Sequence, residues 1–372
     1  MKIGIVGAGF MGMTHATAWR SCGCEIAGVV DRYSAQYLAD EFGGKIFDSV
    51  EELSAAVDLV DMCSPTHLHH DHILSAITGS PRAIFCEKPL ARSLKDAEEA
   101  VAACRGASIP LGVGHVLRYF PEYRRARARV ELGELGSLGV LRFSRGTFAP
   151  RKNWFHNRDK SGGVILDLMI HDIDFSRVLA GEVTRVFARI DAPPSETKGG
   201  ISAESAYIFL NHRNGAISHI EGSWHYPQPE FHSSFEIAGS HALLCCNSDR
   251  SNPLSLHLTH NPKREPAEET AENSKAGSAV PAAVPAASPL AVPVAASPLA
   301  DDPYALELQA FKEAVLRGED PPVNGEEGTQ TLRIALAALD SAVSGRPVTI
   351  NAGTGKHHNS HRNTEGGAHH ER

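Results

Sequence analysis

The 372-residue sequence has no apolar run close to the roughly 20 residues that a membrane-spanning helix needs. It also lacks a charged-then-apolar leader, because Met1 runs almost directly into an apolar stretch at 3–6, so we expect a cytoplasmic protein. Its seven cysteines are scattered and odd in number, which argues against a disulfide framework. The formal net charge is −8 and no basic stripe is present, so neither a membrane nor a nucleic acid is expected as a partner.

The first part of the chain, up to about residue 114, alternates short β-branched runs with amphipathic helical stretches. This rhythm predicts parallel βαβ units and a doubly wound sheet, in an N-terminal domain over 1–118. The predicted strands are Lys2–Val6, Glu25–Val30, Asp58–Cys63, Arg82–Cys86 and Pro110–Gly114.

After Arg118 the segments become longer and alternate in polarity, with a hairpin signal at Asn214-Gly215 and one alternating segment over 234–244. They predict an α+β domain over 119–350, built on an open, mainly antiparallel sheet and containing a helix over 163–179. Within it, the Ala/Pro-rich stretch 263–300 predicts a flexible insertion. The His-rich tail 351–372 is expected to be disordered.

A glycine turn, Gly7 to Gly12 (GAGFMG), follows the first strand and opens the first helix. Such a turn lets backbone N–H groups at a helix start approach a dinucleotide pyrophosphate. Asp31 ends the second strand roughly 20 residues later, where it can accept from ribose hydroxyls. An aspartate there repels a ribose phosphate, which favours NAD, while the adjacent Arg32 leaves NADP open.

The stretch Thr66 to His72 (THLHHDH) has the histidine and aspartate spacing of the metallo-β-lactamase-fold hydrolases. It begins just past the strand 58–63, at the sheet edge where doubly wound folds bind ligands. It leads into a helix instead of a glycine-containing turn, and no second ligand set follows. We therefore predict no metal, and we interpret the preceding Ser64-Pro65-Thr66 as a turn that reaches the ribose and pyrophosphate.

Two further motifs carry candidate chemistry. Glu87-Lys88-Pro89 closes a strand at the same edge, although a solvated charge pair is the alternative. Asp167 and His171, four residues apart after Gly162-Gly163, would share a helix face, so that the acid orients a histidine base. The alternative is a hydrogen-bonded pair on a helix surface.

These motifs, in this order, resemble the Gfo/Idh/MocA oxidoreductases (glucose-fructose oxidoreductase, inositol dehydrogenase, rhizopine catabolism). The resemblance runs from Met1 to about Ile350 apart from the insertion, and it includes 114–118 (GHVLR) and 344–347 (SGRP). It implies a Rossmann domain, a second domain whose open sheet face commonly forms oligomer contacts, and sugar, inositol or polyol substrates. One departure is His115, where many relatives have asparagine.

The resemblance also implies that Lys88, Asp167 and His171 are the catalytic residues of an NAD(P)-dependent dehydrogenase. In hydride transfer from a carbinol carbon, His171 would take the hydroxyl proton and Lys88 would stabilise the oxygen, while Asp167 orients one of the two. The predicted cofactor-binding residues are Gly7, Gly9, Phe10, Met11, Gly12, Asp31, Arg32, Ser64, Pro65, Thr66, His69, Glu87 and Lys88. The predicted substrate-binding residues are Lys88, His115, Arg118, Trp154, Asp167 and His171.

Several alternatives stay open. Arg118 is equally well explained by an ion pair at the domain hinge, and Trp154 by aromatic packing. The chain is expected to form a homo-oligomer, a dimer or a tetramer. A glycoside hydrolase that uses bound NAD, or a non-catalytic regulator that binds NAD and sugar, would carry many of the same motifs.

Overall fold

The computed structural model describes residues 1–191, 203–227, 231–249, 254–258, 291–293 and 302–350. Apart from 291–293, the predicted insertion 263–300 lies outside these residues, and so does the predicted tail 351–372. None of the helices in the described ranges combines the length and apolar character that crossing a membrane requires.

Among the described residues, the N-terminal sheet has six parallel strands in the order β3-β2-β1-β4-β5-β6. The strands are β1 Lys2–Val6, β2 Glu25–Val30, β3 Lys45–Ile46, β4 Leu59–Met62, β5 Ala83–Glu87 and β6 Leu111–Gly114. The helices between them are α1 Phe10–Ser21, α2 Ala35–Phe42, α3 Val50–Ala56, α4 His69–Thr78 and α5 Leu94–Gly106. The five predicted strands are confirmed, while β3 was not predicted because two exposed residues show no alternation.

The order of the strands places a ligand site. The chain runs outwards from β1 to β3 on one side and from β4 to β6 on the other. The loops after β1 and β4 therefore separate at the carboxyl edge and leave a crevice, which is where doubly wound sheets bind ligands. The buried faces of β4, β5 and β6 explain their nearly continuous apolar sequences.

The second sheet contains, in the part of the chain that the structure describes, nine strands in the order β14-β13-β12-β11-β7-β10-β9-β8-β15. All neighbours pair antiparallel except β7 and β10, which are parallel. Its strands are β7 Leu138–Thr147, β8 Val183–Asp191, β9 Ser205–His212, β10 Ile217–Ser223, β11 Phe231–Gly239, β12 Ala242–Asn247, β13 Leu254–Leu258, β14 Ala291–Pro293 and β15 Val348–Thr349. The helices are α6 Pro121–Glu131, α7 Arg158–Ser161, α8 Ile170–Ala180, α9 Pro303–Arg317 and α10 Gly325–Ser344.

Local predictions in this domain fared differently. The hairpin at Asn214-Gly215 is confirmed: Gly215 has φ +91°, and His212 N–H donates to the Ala216 carbonyl at 2.9 Å. The single segment predicted over 234–244 was wrong, because the chain turns at Ser240-His241 between β11 and β12. Ser240-His241 is a polar pair but not an asparagine-glycine pair, so the sequence did not indicate a turn there.

The helix predicted over 163–179 also needs correction at its start. Residues Ile165–Met169 form a π-helical turn, and the regular helix α8 begins only at Ile170. A π-turn is wider than an α-turn, so the side chains along it do not follow the spacing of four residues on one face.

One face of the second sheet is packed and the other is open. On the packed face Tyr123 and Phe175 contact edge to face with ring centroids 4.9 Å apart. Arg145 of β7 is buried there, with two 2.8 Å hydrogen bonds to Asp172 of α8. This buried ion pair fixes α8 against the sheet, since neither charge has access to water.

We predict that the Arg145 pair is essential for stability. Asp172→Ala leaves a buried guanidinium without its carboxylate and should lower the free energy of unfolding by about 3–5 kcal/mol. Glu236→Ala is the matched control, because it strips the carboxylate from Arg142 on the same strand, where both side chains are about half exposed. That control should change stability by at most about 1 kcal/mol. Urea denaturation of the two variants checks the difference, and equal losses would contradict it.

Candidate active site

The glycine turn between β1 and α1 accepts only small residues. Gly7 has φ +100°, and a Cβ there would lie 2.7 Å from the backbone of Cys63 and Ser64. A Cβ on Gly12 would lie 2.0 Å from the Gly7 carbonyl oxygen. Among the described side chains none caps the start of α1, and its first turn carries no acidic residue. Its N–H groups therefore stay available to an anion, which fits the pyrophosphate of a dinucleotide.

Asp31 is held firmly beside this turn. Its Oδ2 accepts from the Ala8 N–H at 2.9 Å, and its Oδ1 accepts from the N–H groups of Tyr33 and Ser34 at 2.7 and 2.6 Å. A carboxylate has about four acceptor positions, so one remains for a ribose hydroxyl. Arg32 is exposed and lies over the Tyr33 ring at 5.5 Å. Of the other predicted contacts around the turn, Phe10 is 80% exposed and Met11 is half-buried.

The histidine-rich stretch shapes the loop after β4. The ring of His69 is 1% exposed and lies between two carbonyl oxygens, with Nδ1 2.9 Å from Pro89 and Nε2 2.7 Å from Ser64. His72 Nδ1 lies 2.9 Å from Ser64 Oγ. Thr66 is buried at the start of a 3₁₀ turn, Thr66–Leu68. The stretch thus joins the β4 loop to the Glu-Lys-Pro turn after β5.

The structure brings Lys88 and Asp167 together from the two domains. Lys88 Nζ donates to the Asp167 carbonyl oxygen at 2.6 Å and lies 3.5 Å from its Oδ1. The side chains are 14% and 22% exposed, so both border the crevice. Asp167 lies in the π-helical turn and His171 in the first turn of α8. The expected spacing on one α-helical face was therefore wrong, although the residues still converge on Lys88.

His171 is held in its neutral form. Burial, together with the positive charge of Lys88, keeps the pKa of His171 well below its usual value. A neutral imidazole has a free lone pair at neutral pH, which is what a proton acceptor needs.

A buried network beneath the site was not predicted. His15 of α1 is fully buried, with Nδ1 2.9 Å from Asp61 Oδ2 and Nε2 3.0 Å from Glu87 Oε1. The indole N–H of Trp19 also donates to Asp61, at 2.7 Å. Glu87 Oε2 accepts the backbone N–H of Lys88 at 3.0 Å, so the network reaches the Glu-Lys-Pro turn directly. The available sequence signal was an aspartate inside the apolar strand β4.

The protonation state of this network follows from its charges. Burial opposes a charged His15, but its contacts with Cys63 and Asp61 raise its pKa well above the usual value. Burial, and after it the charge of Asp61, also raise the pKa of the Cys63 thiol. Burial likewise opposes charge on Glu87, whose pKa is nevertheless lowered by its contact with His15. The raised pKa of His15 and the lowered pKa of Glu87 both favour an ion pair between these two side chains, whose Nε2 and Oε1 atoms lie 3.0 Å apart.

Potential metal ligands lie close together at one place within the described residues, and that group is His15, Asp61 and Cys63. None of the three belongs to the histidine-rich stretch at 66–72. The absence of a metal from the reaction stays a prediction.

The remaining candidates lie around this centre. Arg118 donates to Asp174 through Nε at 2.7 Å and Nη2 at 2.6 Å, which is the ion pair considered as its alternative. His115 is 1% exposed, and burial lowers its pKa to about 4. Trp154 stacks on Phe155 with ring centroids 3.8 Å apart, so the packing alternative describes its environment.

Comparison with known proteins agrees with this geometry. Residues 1–115 match the model described as oxidoreductase family, NAD-binding Rossmann fold, and residues 123–245 match the Gfo/Idh/MocA C-terminal domain. The chain belongs to the Gfo/Idh/MocA oxidoreductase family. As a family member it is an NAD-binding oxidoreductase, and its predicted cofactor is confirmed at that level.

Individual relatives span nearly the whole chain. An uncharacterised oxidoreductase of Bacillus subtilis is 28% identical over 93% of this chain and 96% of its own length. A myo-inositol 2-dehydrogenase of Thermotoga maritima is 27% identical over 94% of this chain and 98% of its own length. The solved structure of a levoglucosan dehydrogenase with NADH and levoglucosan has a TM-score of 0.79 at 20% identity, and it covers 94% of this chain and 99% of its own. That last likeness concerns the fold alone.

The protonated state of His15 predicts a pH-dependent stability. When folding raises the pKa of a histidine, its contribution to the stability of the folded state is complete below the pKa of the unfolded chain, about 6.5. This contribution is lost as the pH rises through the pKa of the folded state. The stability difference between the wild type and His15→Gln should therefore be largest near pH 6 and shrink towards pH 10. Denaturant unfolding at several pH values measures it, with His70→Gln, a partly exposed histidine of α4, as control. A difference independent of pH would show that His15 is neutral.

Proposed function

We propose that this oxidoreductase transfers hydride between nicotinamide and a secondary alcohol of a sugar, an inositol or a related polyol. The observation that carries the proposal is the convergence of Lys88, Asp167 and a neutral His171 beside an NAD-binding glycine turn. The names of two relatives support the substrate class, namely the myo-inositol 2-dehydrogenase and a scyllo-inositol 2-dehydrogenase of Bacillus subtilis that is 26% identical.

The three side chains divide the work of moving a proton. When NAD⁺ is bound, its nicotinamide supplies the hydride acceptor. His171 accepts the proton of the substrate hydroxyl, because burial and the charge of Lys88 leave its imidazole unprotonated. Lys88 donates a hydrogen bond to the same oxygen and stabilises the negative charge that develops there. Asp167 keeps the lysine ammonium in place through its carbonyl and carboxylate oxygens.

The network beneath the site supports this arrangement. Lys88 is fixed at its backbone by Glu87 and at its ammonium by Asp167. Glu87 is in turn fixed by His15. Two points of attachment reduce the orientations that Lys88 can adopt, and preorganised donors of this kind lower the barrier without reorganising during the reaction.

The finer properties of the protein are also proposals. The fixed carboxylate of Asp31 favours NAD over NADP, because it would repel a phosphate on the ribose. The open face of the second sheet exposes Tyr207, Phe209 and Ile217, each between 42% and 44% exposed, and we assign this face to a homo-oligomer contact. The cytoplasmic location stays a prediction.

A panel of inositols, other polyols and aldoses, each with NAD and with NADP, tests the proposal by NADH absorbance. We expect NADH formation with at least one cyclic polyol or sugar and a preference for NAD. Release of free sugar from glycosides without net NADH would support the glycoside hydrolase alternative. Ligand binding without turnover of any kind would support the regulator alternative.

Replacing the proton-transfer groups should separate turnover from cofactor binding. Lys88→Ala and His171→Ala should each lower kcat by at least about a hundredfold, since such groups typically contribute 10²–10⁴-fold. The dissociation constant for NAD should change little, because the glycine turn makes most of the cofactor contacts. Steady-state kinetics and calorimetry measure the two quantities, with His70→Ala as control. If His171→Ala kept nearly normal turnover, His171 would not be the catalytic base, and Lys88 would be the simplest alternative.

A further inference from the structure

Lys152 of the second domain reaches the glycine turn of the first. Its Nζ lies 3.1 Å from the position that a Cβ on Gly9 would take, and apart from residues adjacent to Gly9 in the chain it is the one described atom within 4 Å of that position. The residue follows β7 and immediately precedes a 3₁₀ turn, Asn153–His156. A charge from one domain is thus placed where the backbone of the other must approach a pyrophosphate.

The electrostatics of this placement call for an anion. The start of α1 is the positive end of its helix dipole, and a cation beside it is unfavourable. The first turn of α1 carries no acidic residue. None of the salt bridges among the described residues includes Lys152. Asp31, the carboxylate beside the turn, already accepts three backbone N–H groups. An anion between Lys152 and the helix start would satisfy both positive groups.

The segment that carries Lys152 contacts the first domain at the loops that follow β4 and β5. Trp154 faces His67 with ring centroids 6.1 Å apart. Arg92, which follows the Glu-Lys-Pro turn, donates to the carbonyl oxygens of Arg158 and Asp159 at 2.9 and 3.1 Å. The position of the lysine therefore follows from packing between the domains.

We infer that Lys152 binds the pyrophosphate of the dinucleotide from the second domain, opposite the N–H groups of α1. The inference rests on the assignment of the glycine turn as the cofactor site. A lysine in this role neutralises phosphate charge and also makes cofactor binding favour the arrangement in which the second domain covers the crevice. The same domain carries Asp167 and His171, so bound cofactor would stabilise the arrangement that turnover requires.

Binding of cofactor fragments tests this role without any substrate. Lys152→Gln should weaken the binding of NAD and of ADP-ribose by the same factor, about tenfold. Both ligands contain the pyrophosphate, and both lose one charged hydrogen bond in this variant. Adenosine, which has no phosphate, should bind equally to the variant and the wild type. Lys152→Arg should keep affinity within about threefold of the wild type. Titration calorimetry measures NAD and ADP-ribose, and displacement of NADH fluorescence measures adenosine.

Salt and a matched control sharpen the test. The ratio between the NAD affinities of the wild type and Lys152→Gln should shrink as NaCl rises from about 0.05 to 0.5 M, because salt screens an exposed ion pair. Lys95→Gln, which removes the same charge from an exposed position on α5, should leave NAD affinity unchanged. Equal NAD affinity in Lys152→Gln and Lys95→Gln, or an equal loss for NAD and adenosine, would overturn the inference. Gly9→Val tests separately whether the glycine turn is the cofactor site. If this variant binds NAD as well as the wild type does, that assignment fails, whatever the role of Lys152.

Discussion

The arrangement of the site depends on one buried cation, the imidazolium of His15. It joins three elements that are far apart in sequence: α1, which starts at the glycine turn, β4 through Asp61, and β5 through Glu87. Each of these elements delivers one part of the site at the carboxyl edge of the sheet. Removing the cation would leave two carboxylates facing each other without water, which is far more costly than losing a surface pair. The relative positions of α1, β4 and β5, which line the crevice, are therefore fixed by buried contacts beneath it.

The second domain is positioned by the same kind of interaction. Arg145 holds α8 against the sheet through Asp172, and Arg118 holds it against the loop after β6 through Asp174. Asp174 is fully buried and accepts a further hydrogen bond from Thr331 of α10 at 3.0 Å. Asp172 and Asp174 are two residues apart and therefore point to roughly opposite sides of α8, and His171 lies immediately before the first of them.

Much of this architecture could be predicted from the sequence, because its signals are local. The glycine turn, the aspartate that ends β2 and the alternation of strands and helices all depend on residues within about 30 positions of one another. The convergence of Lys88 and Asp167 was expected from the motif pair and is seen as a 2.6 Å contact. The π-helical turn was missed, because its apolar sequence is equally typical of a regular helix.

Other features could not be predicted, since they are created by folding. In the sequence His15 is one histidine in an amphipathic helix. Only the folded sheet brings the carboxyl groups of Asp61 and Glu87 into contact with it. Arg118 carried two equal interpretations until Asp174 was found at its guanidinium. Lys152 gave no signal at all, because its relation to Gly9 is a contact between domains.

The central claim is that this chain removes hydride from a carbinol carbon of a cyclic polyol or sugar and delivers it to nicotinamide. Isotope transfer tests it most directly. With the substrate that the polyol and sugar panel identifies, deuterated at the reacting carbinol carbon, mass spectrometry of the NADH formed should show one deuterium per molecule, together with a slower hydride step. NADH without deuterium, or a product formed without any NADH, would contradict the account.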